Sequence, residues 1–278
     1  MRRQLLIAPS AGWMLLFFLV PLGIMVVYSF GQRNVVTLEL YWGWTVQNYV
    51  DVVGSLYLNA IVRSIVLSVT ATALCLVVGF PVAYYISRQP HRRQNLLLLA
   101  IMIPFWTSFL VRTYAWVNLL ANEGLLQHAG ERLGLIDGAL NVLYTPTAIG
   151  IGLVYSYLPL MVFPLYVALE RIDPALPEAA SDLGARRRRV FQRVTLPLAM
   201  PGVIAGCIIV GIPATGEYVV PAILGGGKTL MYGNVVASQF FEVGNFPFGA
   251  ALAVSLMTAM TVVLVVLRRR AERLEEVV

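Results

Sequence analysis

Apolar residues gather into six long windows along this chain: Gly12–Phe30, Ile61–Ile86, Leu96–Leu120, Thr147–Ala168, Gly202–Leu224 and Phe248–Leu267. A helix needs about 20 mostly apolar residues to cross ~30 Å of hydrocarbon, and each window meets that length. Lipid gives backbone N–H and C=O groups no partner, so these windows must be helices. Prolines at Pro21, Pro104, Pro159, Pro164 and Pro213 predict kinks within them. The expected architecture is an all-α membrane protein, one domain over 1–278 with six transmembrane helices.

Composition agrees. Hydrophobic residues make up 59% and charged residues 12% of the 278, where a soluble domain carries about 25% charged residues. The first window imitates a secretory signal, with Arg2 and Arg3 ahead of an apolar run. That run is longer than the roughly 7–15 residues of a signal core and lacks a small-x-small cleavage site, which predicts an uncleaved first helix. Cys75 and Cys207 each sit in an apolar run, and His91 and His128 have no metal-ligand spacing. Neither a disulfide framework nor a metal site is expected.

The net charge of +6 is distributed by side. With both termini cytoplasmic, the inside segments carry Arg2, Arg3, Arg88, Arg92, Arg93, Arg171, Arg186 to Arg189, Arg193, Arg268 to Arg270 and Arg273; the outside loops carry Arg33, Arg132 and Lys228. Such a bias sets the topology and accounts for the basic balance without nucleic acid. Two outside stretches are long. Gly31–Ala60 carries Tyr41, Trp42 and Trp44, suited to an interface, with a short amphipathic helix near Val46–Val53. Ala121–Pro146 mixes glycine with short apolar pieces.

The cytoplasmic segment 170–201 is the most informative. Pro174 and Pro177 suit a helix start, and Leu176, Ala179, Ala180 and Leu183 form a small-faced apolar stripe beside Glu178 and Asp182. Gly184 interrupts, and a second, basic helix is expected over Ala185–Val194. Small side chains on the first helix would let another protein approach closely.

Glu178-Ala179-Ala180, then Gly184, then Val194-x-Leu196-Pro197, resembles the coupling loop of binding-protein-dependent ABC importer permeases of the type I, MetI-like fold. Val194 stands where that family usually has isoleucine. The resemblance implies that Glu178, Ala179, Ala180, Asp182 and Gly184 belong to a loop that docks on an ATPase subunit. Residues Pro104 to Trp116 and Gly216 to Pro221 resemble spermidine/putrescine permease subunits of the first type. That likeness implies import of polyamines or related amine-containing solutes across a bacterial inner membrane. It also implies a second homologous permease in a heterodimer, two ATP-binding-cassette ATPase subunits and a periplasmic or lipid-anchored solute-binding protein. This chain would be non-catalytic and hold no cofactor, ATP being bound by the partner.

Ionisable residues inside a membrane are functional candidates because each is costly there. Only Glu217 among the acids, and Arg112 clearly among the bases, falls within a window. Counted from Leu96 and Gly202 at 1.5 Å per residue, they lie about 24 and 22 Å deep. At matched depth they either pair with each other or, with Trp106, Tyr114 and Tyr218 as cation–π faces, Glu217 lines the path of a cationic solute. Gly225-Gly226-Gly227-Lys228-Thr229 imitates a phosphate loop, but Ala222 stands where glycine is required. A flexible outer loop is expected there. An ion-gradient-driven transporter and a non-transporting scaffold are the alternatives; neither requires the coupling-loop pattern.

Overall fold

The computed structural model describes residues 9, 12–33, 40, 41, 43–134 and 140–275. Arg2, Arg3 and Trp42 lie outside the described residues. Helix α1 (Gly12–Ser29) is joined through a two-residue hairpin pairing of Gln32–Arg33 with Leu40–Tyr41 to the short α2 (Gln47–Val52). The short helix expected near Val46–Val53 is thus present, over Gln47–Val52. It is sewn to the end of α1: Tyr49 and Ser29 hydroxyls lie 2.6 Å apart, and Asn48 Nδ2 donates to the carbonyls of Ser29 and Gly31 at 2.9 Å.

Then follow α3 (Ser55–Ser87), α4 (His91–Met102) with a 3-10 turn (Ile103–Trp106), α5 (Phe109–Leu120), α6 (Leu125–Arg132), α7 (Pro146–Glu170) and α8 (Ala175–Asp182). The remainder is α9 (Arg187–Thr215), α10 (Val219–Leu224), α11 (Tyr232–Phe241) and α12 (Phe246–Glu275). Among the described residues five helices, α1, α3, α7, α9 and α12, are long and apolar enough to cross a membrane, and a bent pair makes six if it counts as one span.

The third window is not one helix. It is broken at Thr107–Ser108, and the two halves bend by 87°. Pro104 lies in the 3-10 turn before the break, and Ser108 leaves helical geometry at ψ 135°. The fifth window is broken as well, since α9 stops at Thr215 and α10 starts at Val219. Hydropathy averaged over a long window runs on through both breaks because Thr107 and Ser108 in one, and Glu217 in the other, are outweighed by apolar neighbours.

Half of the most apolar part of α7 is buried, against 6% for α1. The centre of the bundle is therefore α7, with α3 and α9 packed on it and α1 outermost beside α12. Met161, Val162 and Leu165 of α7 are enclosed with Cys75, Ala83 and Ile86 of α3 and Ala199 and Val210 of α9. In lipid such contact is driven by close packing more than by removal of apolar surface from water. Gly202 and Gly206 make that packing possible. A Cβ at Gly202 would overlap Ala168 and the carbonyl of Pro164, and one at Gly206 would overlap the Met161 sulfur.

Two prolines are accommodated in the same way. A π-turn over Leu15–Leu19 precedes Pro21, and another over Phe191–Thr195 precedes Pro197. A proline ring clashes with the carbonyl four residues back, here Phe17 and Arg193, and the widened turn relieves that clash.

Candidate functional site

The break between α9 and α10 assembles a polar cluster within the bundle. Gly216 N–H donates to the Pro213 carbonyl at 3.1 Å, closing α9. The Thr215 hydroxyl lies 2.9 Å from Ser68 Oγ and 2.8 Å from the Gly211 carbonyl, fixing the helix end against α3. Glu217 follows, outside both helices. Its Oε1 accepts the N–H groups of Tyr218 (3.1 Å) and Val219 (2.9 Å), and its Oε2 accepts the Tyr157 hydroxyl of α7 at 2.8 Å. Two donors left over at the start of α10 are thereby satisfied by an anion, which also complements the helix dipole.

A second turn of chain lies against the first. Asn234 Nδ2 donates to the Tyr218 carbonyl at 2.8 Å, while its Oδ1 accepts the Met231 N–H at 3.1 Å. Tyr232 N–H donates to Ser64 Oγ at 2.6 Å, and its hydroxyl donates to the Leu252 carbonyl of α12 at 3.0 Å. Gly233 is packed so tightly on the carbonyl oxygens of Gly216 and Glu217 that no side chain fits. Beyond the glycine turn at 225–229, expected as a flexible outer loop, Tyr232–Phe241 form α11 within the bundle, with Tyr232 to Val235 buried. The glycine turn is packed too: Tyr144 N–H donates to the Leu224 carbonyl at 3.0 Å, and its ring covers Gly226.

Tyr218 opens from this cluster onto a groove of about 570 Å³ walled by α9, α11 and α12, with Phe240, Phe241, Met257 and Leu264 among its lining. The groove is apolar; its polar groups come from the Tyr218 end and Thr261.

Arg112 does not join Glu217. Among the described residues no ion pair links them, because both windows break and a depth counted along straight helices no longer holds. Arg112 lies over the Phe105 ring at 4.4 Å, with Phe109 at 5.9 Å, and its buried Nε and Nη1 have no hydrogen-bond partner. Trp106 and Tyr114 are 77% and 57% exposed, apart from the hydrogen bonds around Glu217. The structure thus brings Glu217 and Tyr218 together, adding Tyr157 and Asn234. The phenol of Tyr157 inside an apolar window is the sequence signal that would have found it, since it needs a partner in lipid; Asn234 lies outside all six windows and carried no such signal.

Segment 170–201 forms a projecting elbow. In α8, Glu178, Ala179 and Asp182 are exposed and Ala180 half-buried. Leu176 is half exposed and Leu183 almost wholly so, at 89%. Gly184 turns the chain at φ +79°, with no atom within 4 Å of where a Cβ would stand. The basic stretch is not the separate helix expected over Ala185–Val194: it starts at Arg187 and continues through the π-turn into α9. The elbow is therefore continuous with the helix that ends at Thr215, two residues before Glu217.

A family model described as "Binding-protein-dependent transport system inner membrane component" matches residues 75–275. The chain is 38% identical over 271 residues to the spermidine/putrescine transport system permease protein PotB of Escherichia coli K12, covering 98% of each. The protein of that name from Haemophilus influenzae is 37% identical over 267 residues, covering 96% of this chain and 93% of that one. Among solved structures, a bacterial alginate ABC transporter in complex with an alginate pentasaccharide-bound periplasmic protein contains a chain of the same fold. Its TM-score is 0.69 at 16% identity, with 98% of this chain and 96% of that one covered.

Proposed function

This chain belongs to the binding-protein-dependent transport system inner membrane components, and from that premise we propose that its cargo is a polyamine of the spermidine/putrescine class. It is an inner-membrane permease subunit of an ATP-binding-cassette importer. An ion-gradient-driven transporter is not favoured. The observation that carries the polyamine reading is near-full-length identity to permeases of that cargo. Chemistry supports it: Glu217 is the one carboxylate within the six apolar windows, beside the exposed Tyr218 ring. One carboxylate with an aromatic face attracts an ammonium group, yet weakly enough for a transporter to release it.

In this reading the arginine distribution places both termini and the elbow in the cytoplasm. Glu178, Ala179, Ala180, Asp182 and Gly184 dock on a separate ATPase subunit, and ATP-driven closure pulls on α9. Hydrolysis takes place in that partner, while this chain supplies half of the path beside a second permease. A solute-binding protein delivers the cargo at the other face, as the periplasmic protein in the alginate transporter complex suggests by analogy of fold. The three hydrogen bonds on Glu217 favour a second reading, in which the carboxylate only holds the break in place.

Uptake of labelled spermidine by proteoliposomes containing the whole importer tests the assignment. Glu217→Gln should raise the KM for uptake while ATPase retention is unchanged. Absence of spermidine and putrescine uptake by the wild-type importer would end the polyamine reading, and unaltered kinetics in the variant would leave only the structural role for Glu217.

A further inference from the structure

Arg112 is a cation that the described residues leave without an acceptor at two of its three guanidinium nitrogens. Its Nε and Nη1 are buried without a hydrogen-bond partner. The rings of Phe105 and Phe109 attract the charge but are poor substitutes for an oxygen acceptor. A buried charge within a membrane is costly unless paired, and breaking such a pair leaves that cost uncompensated. Glu217, the one acid within the six windows, is already bonded to Tyr157, Tyr218 and Val219.

Lipid phosphate is not the natural acceptor either. From Arg112 the helix α5 continues eight residues to Leu120, about 12 Å at 1.5 Å per residue. A snorkelling arginine extends toward the headgroups, but this guanidinium folds back over Phe105, on the far side of the bend. Around it the surface is apolar and exposed: Leu110 at 51%, Val111 at 64% and Tyr114 at 57%. An uncharged face with one unfilled cation calls for an apolar helix carrying one anion.

We propose that Arg112 pairs with a carboxylate on a transmembrane helix of the second permease subunit, joining the two permeases at the bend of the third span. The pairing rests on the reading above, that a second permease stands beside this one. A carboxylate fits the guanidinium fork with two parallel hydrogen bonds.

The test uses the whole importer, purified through a tag on this chain. Arg112→Gln should lower recovery of the second permease at least about tenfold, since one charge is left buried and unpaired; Arg112→Lys should lower it less. Each membrane-embedded Asp or Glu of the second permease is then changed to Asn or Gln in both backgrounds. One of these changes should restore recovery beside Arg112→Gln, because an uncharged pair replaces a broken ion pair. Unchanged recovery in Arg112→Gln, or rescue by none of the carboxylate changes, overturns the proposal. If Arg112→Gln does not accumulate in the membrane, the carboxylate changes beside wild-type Arg112 decide, and one must cut recovery about tenfold. Nanodiscs of phosphatidylcholine with and without phosphatidylglycerol supply the remaining arm. Association that needs the anionic lipid, and loses that need in Arg112→Lys or Arg112→Gln, makes lipid the acceptor and overturns the pair. A wild-type importer lacking any second permease would instead sink the functional reading, and the pair with it.

Discussion

The Tyr157 hydroxyl donates to Glu217 Oε2 at 2.8 Å, tying the middle of α7 to the gap between α9 and α10. The same carboxylate holds the first turn of α10 through two backbone N–H groups. One side chain therefore connects three helices, and its geometry depends on a phenol sixty residues away.

Tyr157→Phe removes one hydrogen bond to a charged group, a loss of about 1.5–3 kcal/mol. Chemical denaturation in detergent should show that loss in the single variant and a smaller one when Glu217→Gln is already present. Additive effects in the double variant would mean that the two side chains act independently.

Gly233 meets the carbonyl oxygens of Gly216 and Glu217, and neither backbone can retreat without opening the cluster. Gly233→Ala should cost about 3 kcal/mol or more, the upper end for overpacking. Gly150, also helical, has no atom within 4 Å of an added Cβ, so Gly150→Ala should be tolerated. Equal thermal stability of the two variants would contradict the packing described here.

Much of this arrangement was legible from residue order, and the remainder was hidden for a physical reason. Apolar length located five long helices, because lipid imposes one minimum on every span. It could not show the breaks at Thr107–Ser108 and Gly216–Tyr218, where the chain turns over too few polar residues to lower the apolar average of the window. Glu217 stood out because charge is rare in such windows. Its partner did not, because helical spacing gives the face a residue occupies and not what lies opposite. Pairing Glu217 with Arg112 assumed two straight helices, and the 87° bend removed that assumption. The elbow was legible in its first helix, while the second proved to be the start of α9.

Gly184 occupies a left-handed conformation at φ +79° in open surroundings. A Cβ there meets no neighbour but carries the backbone penalty of roughly 1–2 kcal/mol. Under the proposed docking role, Gly184→Leu should reduce co-purified ATPase while this chain accumulates normally, and Gly184→Asn should reduce it less. Full ATPase retention in both variants would remove Gly184 from the docking surface.

Two serines on α3 make bonds of different kinds, and their removal should be felt differently. Ser64 Oγ accepts the buried Tyr232 N–H at 2.6 Å; Ser68 Oγ meets the Thr215 hydroxyl at 2.9 Å. Without Ser68, Thr215 still reaches the Gly211 carbonyl of its own helix. A side-chain bond of that sort in a membrane is worth only about 0.6 kcal/mol on average. Without Ser64, the Tyr232 backbone donor at the start of α11 has no intrahelical acceptor, and an orphaned buried group costs about 1–3 kcal/mol. Ser64→Ala should therefore destabilise the folded chain more than Ser68→Ala in detergent denaturation, and Ser64→Thr should recover part of the loss. The opposite ranking would show that α11 is not anchored through its backbone to α3.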